Sequence, residues 1–265
     1  MALRFTQGNA KLGKNTLTFN LPAGHACPFA RLCLARADRK TGKVTDGPEQ
    51  EFRCYGASCE CRYPSMRKMV WANYDQLLAA KTAEAMADLI DRALTPWLRK
   101  LPDVLIRIHS TGGDFFNVEY FKAWCIVASR HPGRQKDVHG MRTDVHGMHV
   151  APEPEGVICY AYTKALPFML LKRPDNLRLV ASRGGTHDRL IEEHCLREAR
   201  VCMTEEEAAS KGLGCDPLDD SHAWAGSESF ALIIHGMQQA GSDAGKAIVA
   251  NRKAGRFAGY SAKKN

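Results

Sequence analysis

The chain lacks any uninterrupted apolar run near the roughly 18 residues of a membrane span, and Met1 to Thr6 hold no apolar stretch of signal-peptide length. Both absences lead us to expect a cytoplasmic protein with reduced thiols, and they leave a disulfide framework, the habit of small secreted chains, without its usual setting. No set of several clustered carboxylates appears, which argues against two-metal phosphodiester hydrolysis. The spacing of the early cysteines, C-x5-C-x20-C, also fits poorly the C-x2-4-C knuckle by which a tight turn presents two sulfurs to one tetrahedral zinc.

Cysteine itself is plentiful. Five of the ten fall within a short stretch, at Cys27, Cys33, Cys54, Cys59 and Cys61, and a further one, Cys215, follows a Gly-Leu-Gly turn. Ten thiols in a reducing compartment invite metal. A cluster accepts ligands from longer loops than a single ion does, because its irons are spread over a larger object. The spacing therefore leans toward iron–sulfur, with zinc and ordinary reduced cysteines as the alternatives. Cys125, Cys159, Cys195 and Cys202 sit in helix or strand patterns and read as small core residues.

At 265 residues and 45% apolar content the chain can bury a large core, so one domain is the expectation. The formal charge is +8, and the stretch Asn251 to Asn265 carries Arg252, Lys253, Arg256, Lys263 and Lys264 with no acidic residue. That balance suits a polyanion, nucleic acid with RNA favoured, or merely a solvated tail.

Residues 1–70 show little periodicity and read as a loop-rich, cysteine-organised segment, with short apolar pieces at Thr16 to Leu21 and Phe52 to Tyr55. Residues 75–250 form the regular body. Leu78, Met86, Leu89, Ile90 and Ala93 fall near a 3.6 period and predict one helix over Asp75 to Leu94 that Pro96 ends. Strand-like runs follow at Val104 to Ile108, Val157 to Tyr162, Leu177 to Ala181, Ala199 to Met203 and Phe230 to Ile234. Helices are predicted from Asn117, over Asp188 to Ala199, after the Thr204 capping box with Gly212 as its left-handed exit, and from Ser242. A segment at 132–156 holds a duplicated Asp-Val-His-Gly-Met, at Asp137 and Asp144, and reads as an inserted loop; its His139, His146 and His149 are weak metal candidates.

Strands alternating with helices favour a mostly parallel α/β sheet, because parallel pairing needs crossovers. About five strands are too few to close an eight-stranded barrel, so a partial, open parallel barrel is expected. Functional residues then gather at the C-terminal strand ends, which selects His109, Tyr162, Lys164, Ser182 and His235. His109 opens a glycine turn that also carries Asp114, a setting in which backbone amides can cradle an anion. One reading of this mouth is metal-free RNA cleavage, in which the 2'-hydroxyl is the nucleophile: His109 acts as base or acid, Lys164 stabilises charge, and Asp114 or Tyr162 orients.

Leu21-Pro-Ala-Gly-His-Ala-Cys-Pro-Phe-Ala-Arg-Leu-Cys33, Arg53-Cys-Tyr-Gly-Ala-Ser58, Arg107-Ile-His-Ser-Thr-Gly-Gly-Asp-Phe-Phe116, Ala161-Tyr-Thr-Lys164 and Phe230-Ala-Leu-Ile-Ile-His-Gly236 with Gly241-Ser242 together resemble the phage-associated gene product 88 family, over about Asn9 to Val249. The resemblance implies a phage or prophage protein, in the host cytoplasm, with a partial barrel similar to that of radical-SAM enzymes and a [4Fe-4S] cluster. It places the cluster on Cys27, Cys33 and Cys54, with Cys215 as the expected fourth ligand and Cys59 and Cys61 as spare thiols or substitutes. The radical-SAM C-x3-C-x2-C loop is missing. Cys215 therefore decides between two chemistries. With four thiolates no iron is open and the cluster is structural, beside an RNA-cleaving mouth; with three, a radical reaction on nucleic acid or nucleotide returns to contention. A non-catalytic, metal-stabilised nucleic-acid-binding module is the third reading.

Overall fold

The computed structural model describes residues 2–8, 12–135, 142–143, 149–150, 154–216 and 220–256. The duplicated Asp-Val-His-Gly-Met segments, with His139 and His146, lie outside them, as do Lys263 and Lys264 of the basic tail.

Eight strands run side by side in the order Thr6–Gln7, Thr16–Phe19, Val104–Ile108, Pro154–Thr163, Leu177–Ser182, Glu198–Cys202, Phe230–Ile233 and Gly214–Cys215. Only the first pair is antiparallel; the remaining neighbours are parallel. Gly133–Gln135 pairs antiparallel with the start of the Pro154–Thr163 strand. The architecture is thus α/β with an open, mostly parallel sheet, and among the described residues the strands do not close into a barrel. No helix among them is long and apolar enough to cross a membrane.

Alternation along the strands separates two faces. Leu17, Phe19, Ile106, Ile108, Cys159, Ala161 and Leu179 point one way and meet Met86, Ile90, Phe121 and Trp124 from the helices Ala83–Leu98 and Val118–Arg130 in the larger core. Each large side chain removed from water there contributes on the order of 2 kcal/mol. Leu105, Ile158, Tyr160, Val180 and Phe230 point the other way and pack under the short helix Ser221–Trp224. Within this second face Arg107 forms an ion pair with the fully buried Asp220, and Tyr160 Oη donates to Asp220 Oδ2 at 3.2 Å. The Arg107 guanidinium also lies over the Tyr162 ring, 5.1 Å from its centroid.

Four local expectations need correction. The N-terminal segment is not loop throughout: Thr16–Phe19 is a fully buried strand beside Val104–Ile108, and Tyr55–Arg62 and Pro64–Ala80 are helices. The helix expected over Asp75 to Leu94 is two, Pro64–Ala80 and Ala83–Leu98, because Lys81 turns left-handed (φ 63°) and Thr82 caps the second by accepting from Ala85 N. Pro96 sits inside that helix, which runs on to Leu98: a proline removes its own N–H and leaves the residues after it free to bond. The helix expected over Asp188 to Ala199 is only Arg189–Glu193, cut short where Cys195 adopts φ 47° ahead of the next strand.

The Arg107–Asp220 pair yields a stability test. Arg107→Met leaves a buried carboxylate without its counter-charge and is expected to cost about 3–5 kcal/mol in urea unfolding. Adding Asp220→Asn should restore more than half of that loss.

Candidate functional site

The segment that carries the early cysteines is tied to the turns leaving three strands. After Val104–Ile108, Thr111 N donates to Asn20 Oδ1 at 2.7 Å, Leu21 N donates to Gly112 O at 3.0 Å, and Asp114 N donates to Ala26 O at 3.0 Å. After Leu177–Ser182, Arg31 N and Leu32 N both donate to Gly184 O, and Thr186 N donates to Phe29 O. After Phe230–Ile233, Gln238 Oε1 accepts from Arg53 N at 2.6 Å while its Nε2 donates to Arg53 O at 3.1 Å. Two of these turns depend on left-handed glycines: a Cβ on Gly113 (φ 94°) would stand 2.6 Å from Leu21 Cβ, and one on Gly236 (φ 84°) 2.9 Å from the Tyr55 ring.

The consequence is that Cys27, Cys33 and Cys54 line one cavity of about 210 Å³ at the C-terminal ends of the strands. Cys27 Sγ accepts from Gly24 N at 3.3 Å. Cys54 stands at the N-cap of helix Tyr55–Arg62, where the Gly56 and Ala57 amides favour its thiolate. Burial outweighs both effects and pushes up the thiols of Cys27 and Cys54, helped at Cys27 by the charges of Asp114 and Cys54 and at Cys54 by that of Cys33. Left to themselves Cys27 and Cys54 are neutral thiols that resist ionisation. A cation placed among them would reverse that balance, since a coordinating thiol loses its proton.

Cys215 does not line this cavity. It lies exposed on the edge strand, paired in register with Ala231, and its charged neighbours are Glu205 and Asp216. The expected convergence of four sulfurs is therefore replaced by one of three. Cys59 is buried and Cys61 exposed, and neither lines the cavity. Of the four cysteines read as core residues, Cys159 and Cys202 are buried and Cys125 half-buried, whereas Cys195 is exposed. Among the described residues no three His, Cys, Asp or Glu side chains approach closely enough to hold one metal ion.

His109, Asp114, Tyr162, Lys164, Ser182 and His235 line the same cavity. Their surroundings assign them unequal parts. The Asp114 carboxylate accepts from Thr163 Oγ1 at 2.5 Å, Phe115 N at 2.8 Å and Lys164 N at 2.8 Å, so it knots two strand exits together. Its pKa is raised, mainly by desolvation. Lys164 Nζ donates to Ser182 O, Ser182 Oγ and Arg183 O at 2.8–3.0 Å, which occupies all three of its protons. His235 Nδ1 lies 3.0 Å from Ile233 O, and its ring packs against Tyr55. His109 takes a left-handed backbone (φ 61°), its Nε2 lies 3.1 Å from Tyr120 Oη, and burial drops its pKa to about 3.

Three buried polar atoms of residues on this wall, His109 Nδ1, Thr111 Oγ1 and Tyr162 Oη, have no hydrogen-bond partner among the described residues. Buried polar groups are usually satisfied, so three together mark a place where a bound molecule would supply the partners. Thr111, Gln238 and Glu60 escape a reading by residue type alone. Glu60, fully buried, accepts from Ala23 N at 2.7 Å and fixes the turn ahead of Cys27, and burial raises its pKa to about 7. A glutamate on the buried face of a short helix is the only signal the sequence offers for it.

Fold and site together define an open parallel α/β protein with a three-thiol cavity at its strand ends. The gene product 88 family model matches residues 3–135 and 145–257, and the chain belongs to that phage-associated family. No curated protein and no solved structure matches it.

The state of His109 can be measured. Its folded pKa lies below the unfolded value near 6.5, so the unfolded chain binds the proton first, and stability present above that pH is lost as pH falls through the window from 6.5 to 3. Between pH 7 and pH 5 the wild type should lose about 2 kcal/mol more than His109→Gln, by urea unfolding at each pH. Equal losses would show that the imidazole is accessible and titrates normally.

Proposed function

We propose that the protein is an iron–sulfur enzyme whose [4Fe-4S] cluster is held by Cys27, Cys33 and Cys54, on a partial open barrel of the radical-SAM kind, and that it modifies nucleic acid or a nucleotide. The observation that carries this reading is the convergence of three thiols on one cavity with Cys215 elsewhere. A cluster, with its irons spread over a larger object, accepts thiolates from separate loops more readily than a single ion does. Such a cluster, held by these three thiolates, would supply an electron and an iron able to take the amine and carboxylate of S-adenosylmethionine.

The chain's own residues do the rest. The Gly24 N–H and the first amides of helix Tyr55–Arg62 support negative sulfur. Asp114 and Gln238 hold the cysteine loops against the strand ends. His109, Thr111 and Tyr162 line the cavity and carry buried polar atoms without partners among the described residues, in a wall dry enough to strengthen a hydrogen bond made there.

Acid-base cleavage of RNA finds less support. A general base works best with a pKa near the operating pH, and His109 lies far below it. Lys164 spends its protons on the protein.

Anaerobic purification followed by iron and sulfide analysis tests the proposal. About four irons and four sulfides per chain are expected. Cys27→Ala, Cys33→Ala and Cys54→Ala should each lose the visible absorbance, and Cys215→Ala should keep it. A colourless protein carrying one zinc, or equal bleaching by Cys215→Ala, overturns the assignment.

A further inference from the structure

The thiol cavity, at about 210 Å³, is smaller than the 300–1,000 Å³ usual for a ligand site. A substrate larger than one base must therefore rest mostly outside it. A second, wider cleft of about 770 Å³ adjoins it, and the two share Arg53 and Gln238. One wall is the turn Gly236–Gly241, and the other is a single face of the helix Asp243–Lys253, along which Lys246, Val249, Arg252 and Lys253 recur at helical spacing.

No acidic residue lines this cleft. Arg53 is held by Asp46 and Lys246 by the exposed Asp243. Arg252 and Lys253 form no ion pair among the described residues, whereas Arg256, three to four positions on, is claimed by Glu205 and Glu206. The cations left uncommitted on this part of the helix thus face the cleft. Between them Met237 and Val249 are about half exposed and give the floor an apolar strip.

We infer that this cleft is the track of a single-stranded nucleic acid, with Lys246, Arg252 and Lys253 on its phosphates and one base directed past Arg53 and Gln238 toward the thiol cavity. The inference rests on the proposed enzymatic site and names its substrate class. Cations along a groove serve phosphates without regard to sequence. A single strand is required because a cavity this narrow admits a base only when it has left the stack.

The test is fluorescence anisotropy with a labelled RNA of about 20 nucleotides, single-stranded or annealed to its complement, across a salt series. Lys246→Glu/Arg252→Glu/Lys253→Glu should weaken single-strand binding at least tenfold near 0.1 M salt, and should lower the slope of log Kd against log salt by about 2, from three lost phosphate contacts at roughly 0.7 each. Lys14→Glu/Lys172→Glu/Arg189→Glu makes the same change in net charge on surfaces away from the cleft and should stay within about twofold of wild type. Wild-type affinity in the cleft variant, an equal loss in the distant variant, or tighter binding of the duplex overturns the inference. Cys27→Ala separates the two proposals: retained binding with an unchanged salt slope leaves the cleft assignment standing whatever the iron content, and binding lost in Cys27→Ala but kept in the cleft variant removes it.

Discussion

The seam between the N-terminal segment and three strand-exit turns decides what the rest of the protein can do. Backbone hydrogen bonds at Gly112, Asp114, Gly184 and Thr186, and the two-way amide clasp of Gln238 on Arg53, lay the cysteine loops across the open end of the sheet. Without that seam Cys27, Cys33 and Cys54 would hang on separate loops. With it they share one cavity with His109, Lys164 and Tyr162. The seam is also what dries the site. The covering that brings the sulfurs together also desolvates His109, Asp114, Cys27 and Cys54, which disfavours the charged form of each.

This dependence explains which features were legible in the sequence. The five apolar runs from Val104 onward fall on parallel strands, two of them reaching one residue past the strand end, because short β-branched segments between helical periods have little else to become. The helix starts at Asn117, Thr204 and Ser242 were equally readable, since each side-chain oxygen accepts the amide three residues on. The strand-end rule brought His109, Tyr162, Lys164, Ser182 and His235 to one mouth for the same topological reason.

What stayed illegible depends on pairing across long distances. The strand Thr16–Phe19 is four residues long, and nothing local says that it lies beside Val104–Ile108. Cys215 looked like a partner for the early cysteines because spacing carries no information about a sheet edge, and only the strand order places it on the far side of Phe230–Ile233. The protonation of His109 was hidden in the same way. Its residue type suggests a neutral-pH acid or base, and only the burial of its ring against Phe115 and Tyr120, which lowers its pKa, argues otherwise. The cleft beside the cavity reads in sequence merely as a basic C-terminal stretch. Its orientation emerges when Glu205 and Glu206 claim Arg256 and leave Arg252 and Lys253 facing the opening.

Mössbauer spectroscopy of anaerobically purified, iron-57-loaded protein, with and without S-adenosylmethionine, addresses the central claim most directly. Three thiolate-bound irons and one unlike iron predict that adding the small molecule shifts about a quarter of the iron signal and leaves the remainder in place. A spectrum of four equivalent sites that does not respond, or protein that takes up no iron, would contradict a cluster held by Cys27, Cys33 and Cys54 alone.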